Sequence, residues 1–587
     1  MHLLAARPGV VDDGSLAVDL GQTPGDIVVL SAADTEIACL AAAQRRLVAA
    51  EPAWPTLRLA SLLKLRHNFS VDLYVDGVVG QAKLVVARLL GGRGYWSYGV
   101  DRLVETCRER GILLALLPGD DRSDPDLAGL GTLPSAEVEL LWRYLLEGGV
   151  GNAEQFLRTA ARLTGVATET RPPAPLLRAG LYWPGAAAPS LADVRQRWRD
   201  DAPVAAIVFY RALVQAANTA PVDALIEALA ARGLNPLPLF AQSLKDQEAA
   251  AVLEAILADA PPEIVLNATA FSISAPGAER AASLFDAADC PVLQVIFSGA
   301  DEASWRDGTR GLDSRDVAMN VALPEIDGRI LSRAVSFKRG LRRDELTEAD
   351  LVDYAPVADR IAFVAELARR WVRLRRKPAG ERRIALVLAN YPNRDGRIGN
   401  GVGLDTPASV VEVLRAMARA GYRVGEIPEN GDALIARLLA GPTNGDPTRP
   451  AEETLSRADY AAYFATLPRA VQERVTQRWG PPERDPFFRE GRLDCGAFAI
   501  PAFRLGDVAI GLQPARGYNI DPASYHAPDL VPPHGYLAFH AWLRDGFRAD
   551  AVVHMGKHGN LEWLPGKAVA LSEECFPEAA LGPMPHL

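Results

Sequence analysis

The chain has 587 residues, 49% of them hydrophobic and 23% charged, enough for several separate cores at roughly 100–200 residues per domain. A formal charge of −10 leaves no basic footprint of the kind that a phosphate backbone needs, so nucleic acid is not an expected partner. The start MHLLAARPGVVDDG lacks a basic segment followed by an apolar one, and no stretch reaches the roughly 18 apolar residues of a membrane span. With Cys39, Cys107, Cys290, Cys495 and Cys575 far apart and no C-x-x-C pair, the expectation is a soluble cytoplasmic protein without disulfides or a thiolate zinc site.

In chain order, DIVVLSAAD reads as a strand and TEIACLAAAQRRLVAA as an amphipathic helix. The run DRLVETCRERGILLALLPGD is a helix closed by Gly111 and followed by a buried strand. RPPAP near Arg171 breaks the pattern, and proline-rich sequence to Pro203 reads as a linker or domain edge. From Val204 the alternation restarts with AAIVFY, VDALIEALAARG, LNPLPLF, DQEAAAVLEAILADA and EIVLNAT. A ligand would sit beyond the strand ends near Tyr210 and Arg211 or near Asn267 to Ser274, but no charged constellation stands there and a scaffold role is expected. The helix VAELARRWVRLRRKP, with a solvated basic face, precedes a third start at RIALVLANYP. The expected fold class is α/β, with several doubly wound parallel-sheet domains of Rossmann or flavodoxin type: 1–200, 201–380 and 381–587.

In the third domain a strand runs into NRDGRIGNGVGLDTPAS and then a helix, the order in which anion sites are built. Thr406 is the expected N-cap, with Pro407 at the first helical position. Gly399, Gly401 and Gly403 match neither a dinucleotide fingerprint nor a P-loop, so a scaffolding turn and a carboxylate-binding loop are both open readings. Further on, Gly559 and Gly566-Lys567 stand too far apart for a P-loop, and Ala568 occupies the place of the Mg²⁺-binding Ser or Thr.

Six of the eight histidines lie at or after position 526: His526, His534, His540, His554, His558 and His586. The densest reactive stretch is FRADAVVHMGKHGNLEWLPGKAVALS, with His554, Lys557, His558, Glu562 and Lys567. ADAVVHMG reads as a buried strand ending at His554; the glycines and Pro565 then place the reactive groups on a loop, with room for one helical turn from Asn560 to Leu564. His554, His558 and Glu562 are ligand types suited to cobalt, nickel or zinc, and Glu562 is also a candidate proton acceptor, expected to be partly buried. Arg516, His526, His534 and His540 stand upstream among prolines and aromatics; Phe539 and Trp542 are expected in the core.

VVHMGKHGNLEWLPGK, from Val552, resembles the signature of the large, tetrapyrrole-binding subunits of ATP-dependent metal chelatases. ANYPNRDGRIGNGVGLDTPAS from Ala389 and PDLVPPHGYLAFHAWLR from Pro528 are similar to the same family, and Lys557 with Glu562-Trp563-Leu564 resembles its cobalt-inserting branch more than its magnesium-inserting one. The resemblance implies insertion of Co²⁺ into hydrogenobyrinic acid a,c-diamide in cobalamin biosynthesis, with Glu562 accepting ring protons and His554 and His558 delivering metal or relaying protons. These three would hold Co²⁺ transiently. Lys557, Lys567 and Arg516 would pair with the ring's carboxylates, and His526, His534 and Asn560 complete the implied substrate-binding set. The family also implies an AAA+ ATPase partner that uses ATP-Mg and a third subunit with an integrin-like domain, in keeping with the missing P-loop. Family members continue far past the signature, so this chain is expected to be an N-terminal part, inactive without its C-terminal half. The alternatives are a magnesium–protoporphyrin chelatase subunit, a zinc-dependent hydrolase using His554, His558 and Glu562 as permanent ligands, and a non-catalytic tetrapyrrole carrier.

Overall fold

The computed structural model describes residues 17–587 apart from 121, 187, 276, 278–282, 339–341, 392, 492–495, 519–526 and 558. Among the described residues, three mainly parallel sheets follow one another along the chain. The first contains β1 (Ile27–Ser31), β2 (Leu57–Ser61), β3 (Leu84–Leu89) and β4 (Leu113–Pro118), all parallel in the order β2-β1-β3-β4. Continuous apolar runs such as LLALLP are what strands covered on both faces require. Helices Asp34–Ala50 and Val150–Leu163 bury Leu40 and Phe156 on one face, and Asn68–Gly77 and Ser97–Arg110 bury Val71 and Leu103 on the other. Gly111 closes the last of these in the left-handed conformation, as its position in the sequence predicts.

The second sheet is built from β5 (Ala179–Leu181), β6 (Val204–Tyr210), β7 (Asn235–Ala241), β8 (Ile264–Asn267), β9 (Val292–Asp301) and β10 (Ile330–Lys338). After a separate hairpin of β11 (Arg342–Arg343) and β12 (Asp350–Leu351), β13 (Tyr354–Pro356) completes the order β13-β10-β9-β8-β6-β7-β5, with β13 and β5 antiparallel at its edges. Two features depart from the sequence reading. The stretch 171–203 carries β5 and the short helix Leu191–Arg195, opened by a Ser190–Asp193 capping box. Three residues are too few to display a strand's two-residue period, so only pairing with β7 reveals β5. The β11–β12 hairpin folds back on the first sheet, where Ala349 enters the core and Asp344 pairs with Arg45.

In the third region β14 (Ile384–Leu388) leads to the hairpin of β15 (Asn400–Gly401) and β16 (Leu404–Asp405). A small antiparallel sheet follows, of β17 (Glu453–Ser456), β18 (Phe488–Arg489) and β19 (Ala497–Ile500). The main sheet then adds β20 (Ala502–Leu505), β21 (Val508–Leu512) and β22 (Ala551–Met555) in the order β20-β21-β14-β22, with β14 parallel to both neighbours. Alternate residues of β14 pack to opposite sides. Leu386 and Leu388 meet helices Thr406–Arg419 and Gly431–Ala440, while Ala385 and Val387 join the cluster that holds Leu537, Phe539 and Trp542. No helix among the described residues is long and apolar enough to cross a membrane.

A seam joins the second and third regions. Ala568 N–H donates to the Thr309 carbonyl (2.9 Å), Val569 N–H to that of Arg310 (3.3 Å), and the Trp305 indole to that of Ala570 (2.8 Å). Beside it, the Glu578 carboxylate accepts two bonds from Arg360 (2.6 and 2.7 Å) and one from Arg333 (2.7 Å). Buried charges are costly unless paired with this geometry, so the cluster makes the seam intolerant of losing its one shared carboxylate.

Candidate active site at the carboxyl ends of two parallel strands

β14 and β22 lie side by side in register, Leu388 opposite Met555, and each releases a loop at the same edge. Ala389 N–H donates to the Met555 carbonyl (3.1 Å), and Gly399 N–H returns to the Ala389 carbonyl (2.8 Å), closing the glycine-rich loop on its own strand. Gly399 sits at φ +65°, where L side chains are strained, and a Cβ on Gly556 would stand 2.8 Å from that of Ala389; both positions call for glycine. Asn444, unremarked in the sequence, ties the edge together by donating to Asn390 Oδ1 (2.7 Å) and to the Gln513 carbonyl (2.9 Å). The two loops touch: Tyr391 meets Trp563 edge-on at 5.5 Å, and a Cβ on Gly401 would lie 3.7 Å from Lys557 Cβ. The helix after the hairpin is capped by Asp405, whose carboxylate accepts from Ala408 N–H (3.0 Å); Thr406, the expected cap, is instead its buried first residue. The carboxylate one residue earlier is the group that reaches the amide.

His554 lies within β22, half-buried, with Nδ1 2.9 Å from Nε2 of His586. Burial, then the neighbouring imidazoles of His586 and His540, push its pKa down to about 3, so it is a neutral ligand or acceptor at physiological pH. His586 is lowered too, through desolvation, against the pull of Glu562. Glu562 occupies the turn Leu561–Trp563 and is exposed, which corrects the expectation of a partly buried carboxylate: Leu561 and Leu564 take the inward positions and turn it outward. A Cβ on Gly559 would lie 3.6 Å from Glu562 Oε2 and 3.7 Å from His554 Nδ1, so carboxylate and imidazole flank one small space above a glycine. Lys557 is exposed beside the hairpin.

The remaining expected residues are placed differently. His526 and His558 lie outside the described residues. His534 is buried; its Nε2 bonds the Gly480 carbonyl (2.9 Å) and so carries the proton, leaving Nδ1 to accept from the Tyr460 hydroxyl (2.6 Å). Asn560 spends its amide on the Tyr536 hydroxyl (2.7 Å) and the Pro514 carbonyl (3.0 Å). Arg516 is fully buried and donates to the carbonyls of Ala527 (2.9 Å) and Trp563, fastening the signature loop from beneath. Lys567 donates to the carbonyls of Arg306 (2.8 Å) and Gly308 (2.7 Å), over the Trp305 ring, and belongs to the seam. Of the expected ring-binding set, Lys557 is the exposed member among the described residues. No three His, Cys, Asp or Glu side chains among the described residues are grouped to hold a metal ion. His586 is visible in the sequence only as part of the histidine cluster; nothing in the spacing places it against His554.

A family model described as CobN/Magnesium Chelatase matches residues 142–587. Over its whole length the chain is 52% identical to the aerobic cobaltochelatase subunit CobN of a Sinorhizobium species, covering 46% of that protein, and 48% identical to that of Pseudomonas aeruginosa, covering 47%. A magnesium-chelatase subunit of Rhodobacter capsulatus is 28% identical over 80% of this chain and 41% of its own length. The solved catalytic subunit of cobaltochelatase from Mycobacterium tuberculosis superposes with a TM-score of 0.78 at 32% identity, over 95% of this chain and 45% of that one. The chain thus spans about half the length of the relatives it matches.

Proposed function

The chain belongs to the CobN/Magnesium Chelatase family, and on that premise we propose that it forms part of the tetrapyrrole-binding subunit of a cytoplasmic cobalt chelatase, inserting Co²⁺ into hydrogenobyrinic acid a,c-diamide in cobalamin biosynthesis. ATP-Mg is used by an AAA+ ATPase partner, assisted by a subunit with an integrin-like domain. The observation that carries the reading is the meeting of two loops over β14 and β22. There the hairpin tip shows apolar Val402 (83% exposed) and Leu404 (41%) beside the Lys557 cation, the Glu562 carboxylate and neutral His554. A flat macrocycle edged with carboxylates needs this combination: apolar surface for its face, a cation for its rim, a base for its inner protons and a nitrogen ligand for the metal. Identity of 52% and 48% to the cobalt subunits, against 28% to the magnesium one, favours cobalt and a corrinoid over magnesium and protoporphyrin.

In this reading Glu562 accepts ring protons, His554 presents the metal, and Lys557 positions the ring. The test has two parts. An absorbance titration of the chain should show tighter binding of hydrogenobyrinic acid a,c-diamide than of a porphyrin; the reverse order would move the assignment to the magnesium branch. In the complete complex, with the rest of the subunit and the ATPase partners present, Glu562→Gln should bind the ring within a few-fold of the parent and lose roughly 10²–10⁴ of the insertion rate. Insertion near the parental rate would remove Glu562 from the chemistry.

A further inference from the structure

The chain after Gly582 returns along β22. Val552 N–H donates to the Pro585 carbonyl (3.0 Å), Leu587 N–H to that of Val552 (3.0 Å), and His554 N–H to that of Leu587 (2.9 Å). Val552 and His586 form a parallel bridge. Main-chain bonds on either side therefore fix where the His586 side chain starts, and it reaches the ring of His554 with centroids 4.8 Å apart and planes at 79°.

The buried histidines of the same region behave otherwise. His534 bonds a carbonyl and a tyrosine hydroxyl, and His540 bonds the Tyr536 carbonyl through Nδ1 (2.9 Å). These are the contacts of imidazoles that complete a core. His554 and His586 instead turn ring nitrogens toward each other at the rim where the two loops open, with N···N 2.9 Å. Two imidazole nitrogens bound at about 2.1 Å to adjacent positions of an octahedral ion stand roughly 3.0 Å apart. The spacing in the protein is already close to that of a chelating pair.

We propose that His586 is a ligand for the incoming Co²⁺, forming with His554 a two-imidazole docking point across Gly559 from the Glu562 carboxylate. The proposal deepens the reading of the chain as a cobalt chelatase part and rests on it for the identity of the ion. Without metal, one imidazole donates its N–H to the other. On binding, that proton moves to the far nitrogen of its own ring, so both imidazoles coordinate as neutral ligands and no net proton is released.

The test is a titration of the chain with Co²⁺ alone, followed by visible absorption, for the parent, His554→Ala, His586→Ala and His586→Asn. Losing one ligand should weaken Co²⁺ binding at least 10- to 100-fold, the loss that removing even an outer-sphere partner causes. His586→Asn keeps a polar group of similar reach for His554 and should show a loss close to that of His586→Ala, with a parental melting curve. Unchanged Co²⁺ affinity in His586→Ala overturns the proposal, and so does parental affinity in His586→Asn, which would make the histidine an orienting hydrogen-bond partner only. A corrinoid titration in parallel separates the two readings. Co²⁺ held through His586 without corrinoid binding removes the proposal that this chain binds the ring and leaves the metal site standing, and corrinoid binding with His586-independent Co²⁺ affinity does the reverse.

Discussion

The second and third sheets have the same parallel plan, yet their carboxyl edges are used in opposite ways. At the edge of the second sheet most polar side-chain groups bond one another, Arg329 Nε excepted. Asn267 donates to Gln294 (2.9 Å), Thr269 to Asn267 (2.9 Å), and Asp327 accepts from Arg329 (2.8 Å) and from the main-chain N–H groups of Ile273 (2.7 Å) and Ser274 (3.1 Å). At the third, asparagines lock the strands from below and leave Lys557, Glu562 and the His554–His586 pair at the rim. A closed polar network rigidifies, whereas groups left at an edge are available to a ligand.

The largest expected effect falls on the seam that joins these edges. Glu578→Ala leaves Arg333 and Arg360 buried around a missing carboxylate and should cost about 3–5 kcal/mol in denaturant unfolding. A loss below about 1 kcal/mol would mean that the two regions do not depend on this cluster. Asn267→Ala comes next. It should lower stability by about 1–3 kcal/mol, because buried partners lose their bonds, while corrinoid affinity stays parental. A fall in ring affinity at unchanged stability would make the second edge a binding site and erase the contrast. The smallest effect on stability is expected for Lys557→Ala, within about 0.5 kcal/mol, since the side chain is exposed. Its corrinoid affinity should nonetheless fall roughly tenfold, as for one charge-assisted contact of about 1.5 kcal/mol. Equal affinity of parent and variant would take the cation off the ring.

Much of this plan is legible in the sequence. Helix and strand periods locate the parallel units, the glycine and HMGKHGNLEWLPGK loops are recognisable, and Phe539 and Trp542 are core residues as expected. What escapes is tertiary. β5 is too short for a period, and the fold-back of β11–β12 onto the first sheet depends on contacts some three hundred residues apart. At the site, residue type alone misleads. Arg516 and Lys567 are cations in a reactive stretch, and nothing local reveals that main-chain carbonyls from Ala527 and Trp563, or from Arg306 and Gly308, engage them. His586 escapes for the same reason, since its partner lies 32 residues away on an adjacent strand.

The signature loop is fastened at both ends to different bodies: at Met555 to the third sheet, and at Ala568 and Val569 to the segment after β9 of the second. It forms a strap between the two regions. A swing between the two bodies would load the bonds to Thr309 and Arg310 and the stretch from Trp563 to Ala568, because Asn560 and the Trp563 carbonyl are held to the third region by Tyr536, Pro514 and Arg516. The turn that carries Glu562 is thereby held on both sides to the third region, while the stretch just after it answers to the second.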